Sequence, residues 1–170
     1  MAITDTLSGS FNALVDFALQ RTSDGDFSGV DKLKHTYTHN FTDGAGVDQA
    51  TCWLTGEGTV TQAAAITCSL ADSVNPLSTI SNNVPTADPE GLKIKLILIT
   101  NLDETNFITM STAGAAWPLT DFGTTIIYPL GTFIWIAPSG GITINDGADD
   151  EIQLQANVAD CEARIDVLYG

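Results

Sequence analysis

From residue 33 the chain alternates. Leu33, His35, Tyr37, His39 and Phe41 interleave with Lys34, Thr36, Thr38 and Asn40. Aromatic and apolar groups therefore take one face of a strand and polar groups the other. Further β-rich segments follow at 49–54, 59–70, 92–100, 107–111, 124–128, 132–137, 141–144, 151–155 and 164–169. Between them lie turn residues, among them 43–46 and Gly56-Glu57-Gly58. Residues 71–91 hold Pro76, Pro85 and Pro89 and read as one long loop. Lys93 and Lys95 share a face of the 92–100 segment, which suggests an edge or half-exposed strand.

Only residues 10–20 also fit a helix. Phe11, Leu14, Val15, Ala18 and Leu19 fall at helical spacing, with Ser10 as an N-cap. Phe11, Ala13, Val15 and Phe17 equally alternate as a strand would, and both readings stand. Residues 22–29 are a turn-rich link. Many short strands without intervening helices predict an all-β chain, an antiparallel β-sandwich of jelly-roll type. Residues 30–170 form the sandwich, and residues 1–29 serve as a short N-terminal arm or first strand.

Composition narrows the partners. In 170 residues and 17.9 kDa, 44% are hydrophobic and only 16% charged, enough for one domain with its own core. Six Lys and Arg against 21 Asp and Glu leave a net charge of −15. Such a surface repels phosphate backbones and anionic headgroups, so neither nucleic acid nor membrane is an expected partner. Cys52, Cys68 and Cys161 form no C-x-x-C pair, and an odd count predicts three free thiols. The first residues lack a basic leader and no apolar run is long enough to span a bilayer, which points to synthesis in a cytoplasm.

Chemistry is hard to find. His35 and His39 on one strand stand roughly 13 Å apart, too far to share a zinc ion. The acidic run 145–151 lacks the ligand spacing of a calcium loop and reads as a solvated turn. Trp53, Trp117 and Trp135 are dispersed in sequence and suit core or subunit contacts. No nucleophile-elbow serine or phosphate-binding loop is present. The expectation is a non-enzymatic protein with no catalytic, cofactor or metal residues.

A collective pattern goes further. The segments GVDQATCWLTGEGTVTQAAAITCSLADSV (46–74), LKIKLILITNLDETNFITM (92–110), AGAAWPL (113–119) and IIYPLGTFIWIAPSGGITINDGADDEIQLQANVADCEARIDVLYG (126–170) follow in order. This order resembles a group of small virion structural proteins of tailed bacteriophages, over about residues 30–170. Pro129-Leu130-Gly131 stands where that group has a direct Pro-Gly. The resemblance implies a β-sandwich particle component, most plausibly a capsid decoration or cement subunit, located in the virion. A tail or fibre component, or a carbohydrate-binding β-sandwich module, is the alternative. The expected partners are copies of itself, with a trimer as first choice, and the major capsid protein or another virion protein. Phe11, Leu14, Phe17, Leu19, Trp117 and Trp135 are the expected subunit or shell contacts.

Overall fold

The computed structural model describes residues 9–22, 28–44, 46–69, 78–82, 92–112, 123–137, 139–143 and 151–170. Every regular element among them is a strand: β1 (Gly9–Thr22), β2 (Ser28–Asp43), β3 (Gln49–Ala50), β4 (Cys52–Val60), β5 (Ile66–Ser69), β6 (Ser78–Asn82), β7 (Lys93–Asn101), β8 (Ile108–Thr112), β9 (Thr125–Ile127), β10 (Thr132–Ile136), β11 (Ile142–Thr143), β12 (Glu151–Ala156) and β13 (Cys161–Tyr169). One sheet runs β10-β7-β13-β4-β6, with β11 also on β7; a second runs β5-β12-β8-β9. All pairs within these two sheets are antiparallel. The protein is all-β.

Alternation builds the core. Cys161, Ala163, Ile165, Val167 and Tyr169 of β13 point inward with Ile97 and Ile99 of β7. They share one buried cluster with Cys68, Ile108, Met110, Ile127, Ile152 and Leu154 from the other sheet. Each large aliphatic side chain removed from water contributes about 1.5–3 kcal/mol, so the two sheets hold each other face to face as a sandwich.

Several sequence expectations need correction. Residues 10–20, for which helix and strand both stood open, are strand, because β1 pairs with β2 along its whole length, from Gly9↔Phe41 to Thr22↔Ser28. Gly56-Glu57-Gly58 is no turn: β4 runs straight through it, since β13 pairs with all three residues. The glycines instead mark a register slip against β6 between Thr55 and Gly56. The reversal falls at 62–64, inside the expected 59–70 strand. It is pinned by Gln62 N–H donating to Asp160 Oδ1 at 2.8 Å and Thr61 Oγ1 donating to Ala64 O at 2.7 Å. The expected 71–91 loop contains β6.

Nor is β7 an edge. It lies between β10 and β13, and Lys95 is only 2% exposed. Leu168 pairs with Leu96 but Tyr169 with Ile94, so Lys95 is the extra residue of a bulge. The bulge turns Ile94 into the core, out of step with Ile97 and Ile99. Burial lowers the Lys95 ammonium pKa, Lys93 lowers it further, and the Asp48 carboxylate opposes both.

Gly170 completes this corner. Its N–H donates to Lys93 O and its carbonyl accepts from Lys93 N–H, both at 2.9 Å. A Cβ there would run into the Gln49 carbonyl and come within 3.1 Å of Ala50 Cα. β3 rests on this bare backbone and carries β2 through the parallel pairs Thr42↔Gln49 and Asp43↔Ala50. Gly170→Ala is therefore expected to cost about 1–3 kcal/mol as β3 is pushed away, read as a lower midpoint in urea unfolding.

Cys68 and Cys161 are free and buried; the side chain of Cys52 lies outside the described residues. Burial pushes the Cys68 thiol from 9.0 up to about 12, and burial, then Asp103 and Asp160, raise that of Cys161. Both thiols are expected to resist a disulfide reagent in the folded protein and to react in denaturant. Because the folded Cys68 holds its proton more tightly than the unfolded one, its contribution is full below about pH 9. That contribution is lost as pH rises toward about 12, so alkaline titration of stability should fall in that window.

Candidate assembly surface

The sheet around β7 has two apolar faces. Across its outer side, register aligns Ile136, Leu96, Leu168 and Trp53 in one row over four strands. All four are half-buried. The next row holds Ile134, 47% exposed, then Leu98, Asp166 and Thr55. Asp166 marks where the belt becomes polar. It accepts from Thr55 Oγ1 at 2.7 Å and from Arg164 Nε at 3.0 Å, which holds the guanidinium pKa above its ordinary value. The partly exposed Arg164–Asp166 pair borders the belt as a rim would, contributing little stability itself.

A second apolar feature follows β9. Gly131 N–H donates to Tyr128 O at 2.9 Å, closing a four-residue turn with Pro129 and Leu130 at its centre. Leu130 has φ 56°, a conformation that favours glycine or asparagine, yet its side chain is 65% exposed. Tyr128 beside it is 68% exposed and Ile126 46%. The turn is held from below by Asn101, fully buried at the end of β7. Its Nδ2 donates to the carbonyls of Asn106 (2.8 Å), Ile127 (3.1 Å) and Tyr128 (3.2 Å), and its Oδ1 accepts from Asp103 N–H at 3.0 Å. Asp103 in turn caps its own loop, accepting from the N–H groups of Thr105 and Asn106, and these bonds hold its carboxyl below the usual range. The result is a strained, exposed leucine on a rigid support.

The third surface is the β1–β2 hairpin. Register sets Phe11, Ala13, Val15, Phe17 and Leu19 opposite His39, Tyr37, His35, Leu33 and Asp31 on one face. Rings follow one another along it: Phe11 to Tyr37 at 6.2 Å, Tyr37 to His39 at 6.4 Å and His39 to Phe41 at 4.7 Å. Phe41 is buried at the root, while Tyr37 is 38% exposed. Asp48 Oδ1 approaches His39 Nε2 at 3.1 Å without hydrogen-bond alignment.

The expected contact residues separate in space. By register Phe11, Phe17 and Leu19 hold positions on the ring-bearing face and Leu14 on the opposite one, while the side chains of Leu14, Phe17 and Leu19 lie outside the described residues. Trp135 pairs with Ile97 in an inward row and packs, half-buried, against the core. Trp117 and the acidic 145–150 segment lie outside the described residues. Among the described residues no cluster of His, Cys, Asp or Glu could hold a metal ion. A hollow of about 240 Å³ lined by Ile126, Tyr128, Gly131 and Phe133 is smaller than the roughly 300–1,000 Å³ of small-molecule sites. No known family, curated protein or solved structure matches the chain.

Sequence reasoning passed over Leu96, Leu168, Ile136, Tyr128 and Leu130. A signal did exist for some. LKIKLILIT and TFIWI are continuous apolar runs, and continuity rather than alternation marks a strand that is apolar on both faces. Nothing in the letters Pro-Leu-Gly announces a positive φ at leucine.

Leu130→Gly tests whether the turn needs its leucine to fold. Relieving a left-handed leucine gains about 1–2 kcal/mol and glycine's extra chain freedom costs about 0.5–1 kcal/mol. The thermal midpoint should hold or rise slightly. A marked fall would show that the turn needs its leucine for stability.

Proposed function

We propose that this chain is a non-enzymatic structural protein of a tailed-bacteriophage particle, a decoration or cement subunit that binds the capsid shell and stabilises it. It works as a homo-oligomer, contacting the major capsid protein or another virion protein. It is made in the host cytoplasm and resides in the virion. The body is a jelly roll.

The strand order is the observation that carries this reading. Counted in chain order, the eight strands β4, β5, β7, β8, β9, β10, β12 and β13 pair first with eighth, second with seventh, third with sixth and fourth with fifth. That is the pairing of one long hairpin, and rolling it brings the third strand beside the eighth and the fourth beside the seventh. Four of these eight strands fall in each sheet, with β6 and β11 added to the first, and this order supports a jelly roll of the kind found in viral shells. On this body the Trp53–Ile136 belt and the Tyr128–Leu130 turn offer uncharged apolar contacts, with exposed anchors able to enter a partner's pocket. The sequence resemblance to virion proteins points the same way.

With a net charge of −15, binding to an acidic shell must rest on apolar contact and hydrogen bonds. Particles assembled without the chain, then mixed with the purified protein and sedimented, should retain it at stoichiometric copy number. Raising salt from about 0.15 M to about 1 M shortens the Debye length from about 8 Å to about 3 Å and should leave that retention intact. Leu130→Gly should weaken it about 10- to 100-fold, the equivalent of about 1.5–3 kcal/mol for one buried leucine. A protein that never sediments with particles at either salt would refute the reading.

A further inference from the structure

We infer that the ring-bearing face of the β1–β2 hairpin packs against the same face of the hairpin of a second copy of this chain. This rests on the assembly reading above and names the element through which copies join.

The hairpin is a two-stranded ribbon. β1 pairs with β2 over 14 residues, and among the described residues only the two of β3 extend its ladder. An isolated two-stranded ribbon is marginal in water unless a hydrophobic face is covered. By register its face carries Phe11, Val15, Phe17, Leu19, Leu33 and Tyr37, with the opposite charges Arg21 and Asp31 together at the end away from the root, and Tyr37 is 38% exposed. One partner of the same length and same pattern would cover it along its whole extent.

Charge selects that partner. Residues 9–43 carry three of the six cations, Arg21, Lys32 and Lys34, against five acids, a net −2. Residues 44–170 carry three cations against fifteen acids, a net −12. Two copies therefore meet at the least electrostatic cost through their hairpins. Lys32 and Lys34 hold register positions on the face opposite the rings, alongside Ala18 and Asp16, and stay outside the contact.

The size is adequate. Fourteen rungs at about 3.3 Å give a ribbon about 46 Å long and about 10 Å wide. Two opposed faces enclose roughly 900 Å² in flat projection, close to the roughly 1,000 Å² expected of a specific interface before side-chain relief is added. A contact of one patch with itself is also the simplest closed arrangement.

Phe17 and Ala18 are neighbours on opposite faces, which makes the test sharp. By light scattering on the full chain, Phe17→Glu should lower the mass of the oligomer, since each contact then meets two buried carboxylates. Ala18→Glu should leave the mass unchanged. Protection of the Cys68 and Cys161 thiols reports in both variants that the body stays folded. A Phe17→Glu protein with the parent mass, or equal loss in both variants, would overturn the inference. Hydrogen exchange on the unaltered chain tests it independently: protection of residues 9–22 and 28–43 should fall on dilution, and protection independent of concentration would overturn it. A hairpin variant that keeps its mass and still sediments with particles would leave the assembly reading standing while this contact failed.

Discussion

The whole body depends on β13 entering between β4 and β7. From Ala163 to Tyr169 its inward residues meet a partner on both sides: Ile165 lies between Ile99 and Gly56, and Val167 between Ile97 and Leu54. These pairings join residues about 70 to 110 positions apart, so loop closure must be met before any of them contributes. Once the strand is in place it satisfies two rows of backbone groups and supplies five buried side chains, Cys161, Ala163, Ile165, Val167 and Tyr169. Without it the sheet would separate into β7 with its neighbours and β4 with β6, each presenting an unpaired edge.

Local irregularities next to this strand set the outer surfaces. The bulge at Lys95 admits Ile94 to the core and brings the buried lysine within the influence of Asp48, at the root of the hairpin. Gly170 continues β13 across Lys93 and leaves bare backbone for Gln49 and Ala50. At the opposite end of β7, Asn101 joins the 101–106 loop to the turn after β9 through four hydrogen bonds of one amide. A buried amide with its donors and acceptor occupied costs little to bury and holds its neighbours in one arrangement. That arrangement is what keeps Leu130 in its strained, outward conformation.

Strand content was legible because it is a local property. Alternation in residues 33–41 and 164–169, and the apolar runs of 92–100 and 132–137, each identify a strand from a few neighbours. What failed was everything decided by a distant partner. Gly56-Glu57-Gly58 looks like a turn until β13 is laid beside it. Lys95 looks like an edge marker until the bulge buries it. Ser78–Asn82 has little β character of its own and becomes a strand on the free side of β4. In residues 10–20 both periods were present, and pairing with β2 decided between them. That decision also divides the expected contacts, because neighbours on one helix face, such as Phe11 and Leu14, fall on opposite faces of a strand.

Charge and surface then act together. A chain with 21 acidic and six basic residues cannot associate with its own copies, or with another acidic surface, through general attraction. The assembly proposed above would therefore place its contacts where charge is sparse and apolar area is exposed. Three places satisfy both conditions: the belt from Trp53 to Ile136, the turn at Leu130 and the ring-bearing face of the hairpin. They differ in origin. The belt is the unused side of a strand needed for the core, so it comes with the fold at no extra cost in strain. The leucine turn carries a local conformational cost, held in place by hydrogen bonds to its backbone, while its side chain stays exposed. The hairpin gives 30 residues to two strands, and among its described side chains Phe41 is buried at the root while Tyr37 is exposed. An exposed leucine in a conformation that favours glycine does nothing for the fold that glycine would not do as well, so the turn supports the proposed assembly more directly than the larger belt does.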